Sequence, residues 1–172
     1  LPVSVQNPFI PSELDQALDQ AGDTLPDSTQ VLVSKSFFDL GIQDQYAERD
    51  TIRLVTGFKG DFDNGLSYEA SFNFGRFSET FTESDERVND RFFAALDSVI
   101  DPATGQPACR SEVDLDGDGM VDTTSPLGGD GFKTFTPGSG ACVPLNVFGE
   151  GNASQAAMDF ITGDAVNSTR TE

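Results

Sequence analysis

The chain has 172 residues and a formal net charge of −19, with 29 acidic residues, 10 basic residues and no histidine. A balance this acidic argues against nucleic acid and against an anionic membrane surface as partners. The absence of histidine removes the commonest general base and any Ser-His or Cys-His nucleophile pair, so we do not expect an enzyme.

The sequence predicts a β-rich fold with short helices, at a length that fits about one domain. It has no run of about 18 apolar residues, which predicts no transmembrane helix, and no charged-then-apolar leader. Because it begins at Leu1 rather than at a methionine, we expect a processed or excised piece.

Residues 1–29 are predicted to be a loop that contains one short helix. Residues 7–11, Asn-Pro-Phe-Ile-Pro, form an extended entry stiffened by proline, and Ser12 after them is a favourable N-cap. Gly22 is expected to end the helix. The apolar face of this helix consists of Leu14, Ala17, Leu18 and Ala21.

Residues 30–81 are predicted to hold the β-strands, beginning with a moderate alternating pattern over residues 29–38. The strongest pattern is a long antiparallel β-hairpin at residues 51–77, the core of a sheet of about two to three strands. Its apolar face, which we expect to meet lipid or protein, consists of Leu54, Phe58, Phe62, Leu66, Tyr68, Phe72 and Phe74.

The turn of this hairpin lies at residues 63–65, Asp-Asn-Gly. A three-residue loop pairs Phe62 with Leu66 and keeps apolar side chains on one face. A two-residue turn would instead place apolar residues of one strand opposite polar residues of the other. The three-residue loop needs a left-handed residue at its last position, which Gly65 supplies. The resulting register predicts that Lys59 faces Glu69 and that Tyr68 covers Gly60.

The length of the hairpin arms leaves two interpretations open. About ten alternating residues, with a rise of about 3.3 Å and a tilt of about 40°, span about 25 Å, which is the height of the apolar band of an outer-membrane barrel. The alternative is a long, twisted hairpin in the sheet of a soluble protein. In either case the apolar face needs a cover, because an isolated hairpin is marginal in water.

Residues 82–172 are predicted to be a long loop region with two helices. Ser84 is expected to cap a helix over residues 85–100, where apolar residues recur at three- and four-residue spacing. A last short helix is predicted at residues 153–162, beginning at Asn152 or Ser154, and residues 163–172 are expected to fray.

Cys109 and Cys142 are the two cysteines of the chain. A bond between them would close a loop of about 30 residues, worth about 3 to 4 kcal/mol in the chain-entropy model. The alternative is two buried free thiols, but the Gly-, Pro- and Asp-rich segment between them offers little core. We therefore expect a disulfide that pins the long loop, and an oxidising compartment.

The segment 114–122, Asp-Leu-Asp-Gly-Asp-Gly-Met-Val-Asp, matches the first nine positions of an EF-hand-like calcium loop. Ser125 stands where the bidentate glutamate of an EF-hand would be, and Pro126 forbids the exiting helix. We expect a structural Ca²⁺ site with water or Ser125 completing the shell; the alternative is a solvated acidic turn. The predicted ligands are Asp114, Asp116, Asp118, the carbonyl of Met120, and Asp122.

Four segments in one order carry a resemblance to a known family: residues 7–11 (NPFIP), 49–60 (RDTIRLVTGFKG), 101–110 (DPATGQPACR) and 142–151 (CVPLNVFGEG). Together they resemble the barrel region of TonB-dependent outer-membrane receptors. The resemblance implies a barrel with an N-terminal plug that takes up metal chelates, vitamins or oligosaccharides. This chain has no plug and no TonB box, so we expect a fragment.

Two hypotheses follow for the function. In the first, the chain belongs to a receptor barrel in the outer membrane of a Gram-negative bacterium, its partners are the remaining barrel strands, and its disulfide- and calcium-stiffened loop lies outside the cell. In the second, the fragment is a structural protein that pairs with copies of itself through the hairpin and forms an extracellular filament or tube.

Overall fold

The computed structural model describes residues 1–20, 29–41, 43–123 and 131–171. The described part of the chain is β-rich with three short helices and a long antiparallel sheet, which confirms the predicted fold class at this level. The elements, in chain order, are β1 Pro2–Ser4, α1 Ser12–Gln20, β2 Gln30–Leu32, β3 Asp44–Asp61, β4 Ser67–Arg87, α2 Asn89–Leu96, β5 Ser98–Ile100, β6 Pro107–Cys109, α3 Gln155–Ile161 and β7 Thr162–Thr171.

The chain divides into two compact units. The sheet unit contains Gln43–Ser84 and Asp164–Glu172, and its strands lie in the order β3-β4-β7. The globular unit contains Leu1–Ile42 and Asp85–Gly163, with the helices and the two small sheets β1-β2 and β5-β6.

The register of the hairpin is the predicted one. Lys59 lies opposite Glu69, and Gly60 lies opposite Tyr68, whose ring leaves no room for a side chain at residue 60. The Phe62 amide donates to the Leu66 carbonyl at 2.7 Å, which closes the three-residue loop. Gly65 has a φ of 82°, as that loop requires.

The strands extend well beyond the predicted residues 51–77. β3 has 18 residues and β4 has 21, against about five or six in an ordinary strand. The extension is mostly polar, and some of its residues find partners across the hairpin: Arg49 Nε donates to Glu79 at 2.5 Å, and Gln45 donates to Glu83 at 2.9 Å. Cross-strand polar pairs therefore continue the sheet where its apolar pattern ends.

The helix predicted over residues 85–100 is wrong at both ends. Ser84 is a strand residue opposite Asp44 and does not begin the helix, because β4 continues to Arg87 and the Val88 amide then donates to the Ile161 carbonyl at 2.8 Å. Helix α2 covers only Asn89–Leu96. The apolar residues after it form β5 instead, which pairs with β6.

The expected fraying of residues 163–172 is also wrong, because β7 occupies Thr162–Thr171 and gains β4 as its neighbour. The last helix, predicted at residues 153–162, is Gln155–Ile161, and Ser154 Oγ accepts the Ala157 amide at 3.1 Å, which confirms that N-cap. Among the described residues no helix is long and apolar enough to cross a membrane.

The two N-terminal predictions hold in part. Helix α1 begins near the predicted place, but Ser12 is its first helical residue, and its hydroxyl donates to Glu13 at 3.4 Å. The predicted face residue Ala21 and the expected end at Gly22 lie outside the described residues. The strand pattern over residues 29–38 is realised only at Gln30–Leu32, which pairs with β1.

The core lies in the globular unit, where α2 and α3 pack together. Phe92 and Leu96 are one helical turn apart on α2, so both point the same way and both are fully buried. The large, fully buried apolar side chains are Phe92, Leu96, Leu145, Ile161, Val3 and Val147. Val3 comes from β1 and Leu145 from the segment after the second cysteine, so the core ties distant parts of the sequence together.

The C-terminal end of α2 is closed by polar groups from elsewhere in the chain. Asn7 Nδ2 donates to the Leu96 carbonyl at 2.8 Å, and Ser98 Oγ donates to the Ala95 carbonyl at 2.7 Å. Next to them a buried ion pair joins Asp97 to Arg110, with 3.2 Å between the carboxylate and Nε. These bonds satisfy carbonyls that a helix end leaves open.

Candidate metal site and apolar sheet face

The loop that carries the candidate metal site is closed at its base by a disulfide. Cys109 and Cys142 are bonded, with 6.1 Å between their Cα atoms, as the sequence predicts. The Glu112 carboxylate accepts the Gly140 amide at 2.8 Å and the Cys142 amide at 3.2 Å. The two ends of the loop are therefore joined by these hydrogen bonds as well as by the disulfide. The sequence pattern did not reveal this role of Glu112.

Three of the five predicted ligands come together at the start of the loop. Asp114, Asp116 and Asp118 each offer a carboxylate oxygen, and these oxygens lie within 4.8 Å of one another. The spacing arises from local turns: Asp114 accepts the amides of Gly117 at 2.7 Å and Gly119 at 2.9 Å. The two glycines have φ values of 77° and 86°, a left-handed conformation that costs glycine nothing.

Amides of the loop favour the ionised form of the Asp114 carboxylate. Hydrogen bonds from the Gly119 and Gly117 amides outweigh burial and hold the pKa of Asp114 below its ordinary value of 3.8. Asp114 is therefore ionised throughout the neutral range, and its bonds to the loop weaken only as pH falls through that lowered pKa. Each carboxylate has about four lone-pair sites, so accepting amides leaves sites for a cation.

The group of converging carboxylates does not include Asp122, and the Met120 carbonyl stays a prediction. The Asp122 amide donates to the Val113 carbonyl at 2.9 Å, which ties the far side of the turn back to its start. The Met120 side chain is exposed, and its amide donates to Asp118 at 2.8 Å. Ser125, the remaining predicted contributor, lies outside the described residues.

A second anchor holds the returning part of the loop on helix α2. The Asp90 carboxylate accepts the amides of Lys133 and Thr134, both at 2.7 Å, and the Thr134 hydroxyl at 2.9 Å. Burial would raise the pKa of Asp90, but these hydrogen bonds together lower it below 3.8. Sequence reasoning assigned Asp90 no role within the predicted helix over residues 85–100, since nothing local shows that residues 133–134 return to it.

The apolar face of the sheet is the second candidate site. All seven predicted residues are exposed, from 40 % for Phe74 to 67 % for Phe58, and they lie on one face of β3 and β4 or beside the turn that joins them. Tyr68 packs against two phenylalanines, with ring centroids 6.1 Å from Phe58 and 5.0 Å from Phe62. A contiguous exposed surface of this kind marks an interaction site.

The opposite face of the same strands is polar. Arg53 donates to Asn73 at 3.2 Å across the hairpin, and Lys59 lies opposite Glu69. On the apolar face itself, the positions next toward the start of β3 are Asp50 and Glu48, so the apolar band is bounded. One sheet thus presents an apolar band on one side and hydrogen-bonded polar pairs on the other.

Comparison of the chain with protein-family models, with curated proteins and with solved structures gives no match.

Proposed function

We propose that the chain supplies three neighbouring strands of an outer-membrane barrel in a receptor of the TonB-dependent family. The observation that carries the proposal is the sheet itself: β3, β4 and β7 neighbour one another in chain order, and the β3–β4 hairpin has one apolar and one polar face. Strands of an outer-membrane barrel alternate in this way, with lipid outside and a polar interior.

The dimensions support the same proposal. The apolar band between residues 52 and 62 has about ten residues, which span about 25 Å at a tilt of about 40°. Beyond this band β3 continues through acidic residues that suit water and not hydrocarbon. The two outer strands of the described sheet, β3 and β7, would pair with the remaining barrel strands of the receptor.

The segment between β4 and β7 would then be an extracellular loop that is unusually well ordered for its length. It begins and ends at hydrogen-bonded residues, Val88 and Ile161, and it holds the disulfide and the acidic turn. A disulfide fits a surface outside the cell, where it is not reduced. In a receptor such a loop would help to form the entrance for the transported ligand.

The lipid-facing assignment can be tested with single-tryptophan variants, because the chain contains no tryptophan. We expect Phe72→Trp, on the apolar face, to be quenched strongly by lipids brominated on their acyl chains. Asn73→Trp, one residue along β4 and on the polar face, is the matched control and should be quenched several-fold less. Equal quenching of the two variants in vesicles would contradict the proposal.

We also propose that the acidic turn binds Ca²⁺ through Asp114, Asp116 and Asp118, in a structural role. Oxygens that bind calcium lie about 2.3 to 2.6 Å from the ion, so ligands on opposite sides are about 5 Å apart, and the spacing within 4.8 Å suits them. Hard carboxylate oxygens favour calcium over zinc. The Met120 carbonyl, Asp122 and Ser125 or water stay predictions for the remaining positions.

We expect millimolar Ca²⁺ to stabilise the globular unit by about 1.4 kcal/mol at ten times the Kd, since ligand bound only to the folded state adds RT ln(1 + [L]/Kd). Differential scanning calorimetry should show a higher Tm with Ca²⁺ than with chelator. Asp116→Ala should abolish the difference, whereas Asp15→Ala, which removes an exposed acid from α1, should keep it. If the parent chain has the same Tm with Ca²⁺ and with chelator, the segment is a solvated turn that binds no calcium.

The second candidate function is self-assembly into an extracellular filament or tube, and the exposed apolar face favours it. Burying about 500 Å² of apolar surface is worth about 12 kcal/mol before entropic costs, enough to drive association of copies in water. Sedimentation in detergent-free buffer separates the candidates: self-assembly predicts species well above 18.4 kDa without any lipid. A receptor segment alone would need lipid or detergent to cover that face.

A further inference from the structure

The open edge of β3 is the surface that carries a further inference. In the described sheet, β3 has a neighbour on one side only, and 17 of its 18 residues are exposed, Gly60 being the exception. The Phe62 amide points to β4. Because backbone groups alternate along an antiparallel strand, the amides of odd-numbered residues, including Val55, point to the open edge.

We infer that this edge pairs with β3 of a second copy, antiparallel about a two-fold axis through Val55. This arrangement rests on the second candidate function and specifies its contact. A two-fold axis perpendicular to the sheet keeps the apolar face of both copies on one side. The occupant of the edge is therefore a strand of this chain, added by backbone hydrogen bonds.

The charges of β3 select the register. With the axis at Val55, residues 49–61 of the two copies overlap, and Arg49 of each copy faces Asp61 of the other. Both residues lie on the polar face, and Arg49 has donors left beside its bond to Glu79. Opposite charges directly across a strand pair attract.

The apolar face agrees with the same register. Ile52 faces Phe58 of the other copy, and Leu54 faces Thr56, so the apolar band runs on across the junction. The combined sheet has an uninterrupted apolar surface about twice as wide as that of one chain. A band continued in this way is what lateral assembly needs.

Neighbouring registers set like charges against each other. An axis at Leu54 pairs Arg49 with Lys59, an axis at Thr56 pairs Arg53 with Lys59, and an axis at Arg53 opposes two arginines. Like charges directly opposite are destabilising.

Registers further away also fit less well. An axis at Ile52 sets the Asp50 carboxylate beside Leu54 on the apolar face, and an axis at Gly57 shortens the overlap to residues 53–61. Val55 is the centre that combines long overlap, opposite charges and matched faces.

Cysteine cross-linking of the full chain tests the register. At a hydrogen-bonded antiparallel pair the Cα atoms are about 5.5 Å apart, within the range for a disulfide. We expect Val55→Cys to form a covalent dimer under mild oxidation. Thr51→Cys is the matched control on the same edge and face, because residue 51 lies opposite residue 59, about 26 Å from its own copy.

A charge exchange provides an independent readout. Arg49→Asp alone and Asp61→Arg alone each create two like-charge contacts and should weaken association about tenfold. The double variant restores opposite charges across the junction and should recover most of the association, while the bond of residue 49 to Glu79 stays lost within each copy. If either residue acted only by stabilising the monomer, the second substitution would not restore association.

The outcomes separate this register from the broader function. If sedimentation shows oligomers but Val55→Cys does not cross-link, or Thr51→Cys cross-links equally well, self-assembly stands and the two-fold β3 contact is overturned. If the chain sediments as a monomer in detergent-free buffer at all concentrations, both fall. Cross-linking at residue 55 with charge restoration in the double variant supports the contact.

Discussion

Replacing Cys109 and Cys142 by alanine is expected to lower the free energy of unfolding of the globular unit by about 3 to 4 kcal/mol. The bond spans 33 residues, and a cross-link over such a loop restricts the unfolded chain by about that amount in the chain-entropy model. Urea unfolding followed by circular dichroism would measure the change. The loss is large against a total stability of about 5 to 15 kcal/mol.

The control for this prediction is the parent chain kept under reducing conditions, which should show a similar loss. Both sulfurs are buried, so alanine avoids leaving a hydroxyl without a partner in the core. An unfolding midpoint that does not move in either experiment would show that Glu112 and the packing around it already close the loop.

Arg110→Ala is expected to destabilise the chain by about 3 to 5 kcal/mol. Asp97 is 2 % exposed and Arg110 is 7 % exposed, so the substitution removes the cation that faces a buried carboxylate. Breaking a buried ion pair by removing one partner costs about this much, because the remaining charge stays desolvated. Arg110 also donates to Gln6 at 2.6 Å, so the N-terminal segment should loosen too.

The matched control is the double variant Asp97→Leu, Arg110→Met. Replacement of both charges by apolar groups of similar volume is often neutral or stabilising, so this variant should recover most of the loss. Chemical denaturation of the single and double variants gives both values. A single variant within about 0.5 kcal/mol of the parent would contradict the prediction.

Local chemistry was enough to predict the hairpin and the last helix but not the elements between residues 85 and 100. The turn at Asn64-Gly65 and the strict alternation around it fix the register, because each neighbouring pair supports the same pairing. Residues 85–100 carry an equally good helical period, but the Val88 amide bonds to Ile161 and Ser98 pairs with Cys109 in the β5–β6 sheet. Tertiary contacts overrode local propensity there.

The candidate site shows the same division. Asp114, Asp116 and Asp118 could be predicted because the ligands of a calcium loop of this kind lie at fixed positions in one short segment of sequence. Glu112 and Asp90 act on amides 28 and 43 residues away, and no periodicity in the sequence encodes such contacts. The disulfide could be predicted from the sequence because the chain has only two cysteines.

The hydrogen bond between Val88 and Ile161 holds together the two ends of the segment that separates β4 from β7. Its two ends meet at 2.8 Å, so the spacing of the flanking strands is set by this bond and not by the number of residues between its ends. The entropic cost of closing such an insertion rises only slowly with its length, at about 0.6 kcal/mol for each doubling. A change of length within this segment therefore costs the sheet little, whereas the core that Val3 shares with Phe92 and Leu96 limits which of its residues can be removed.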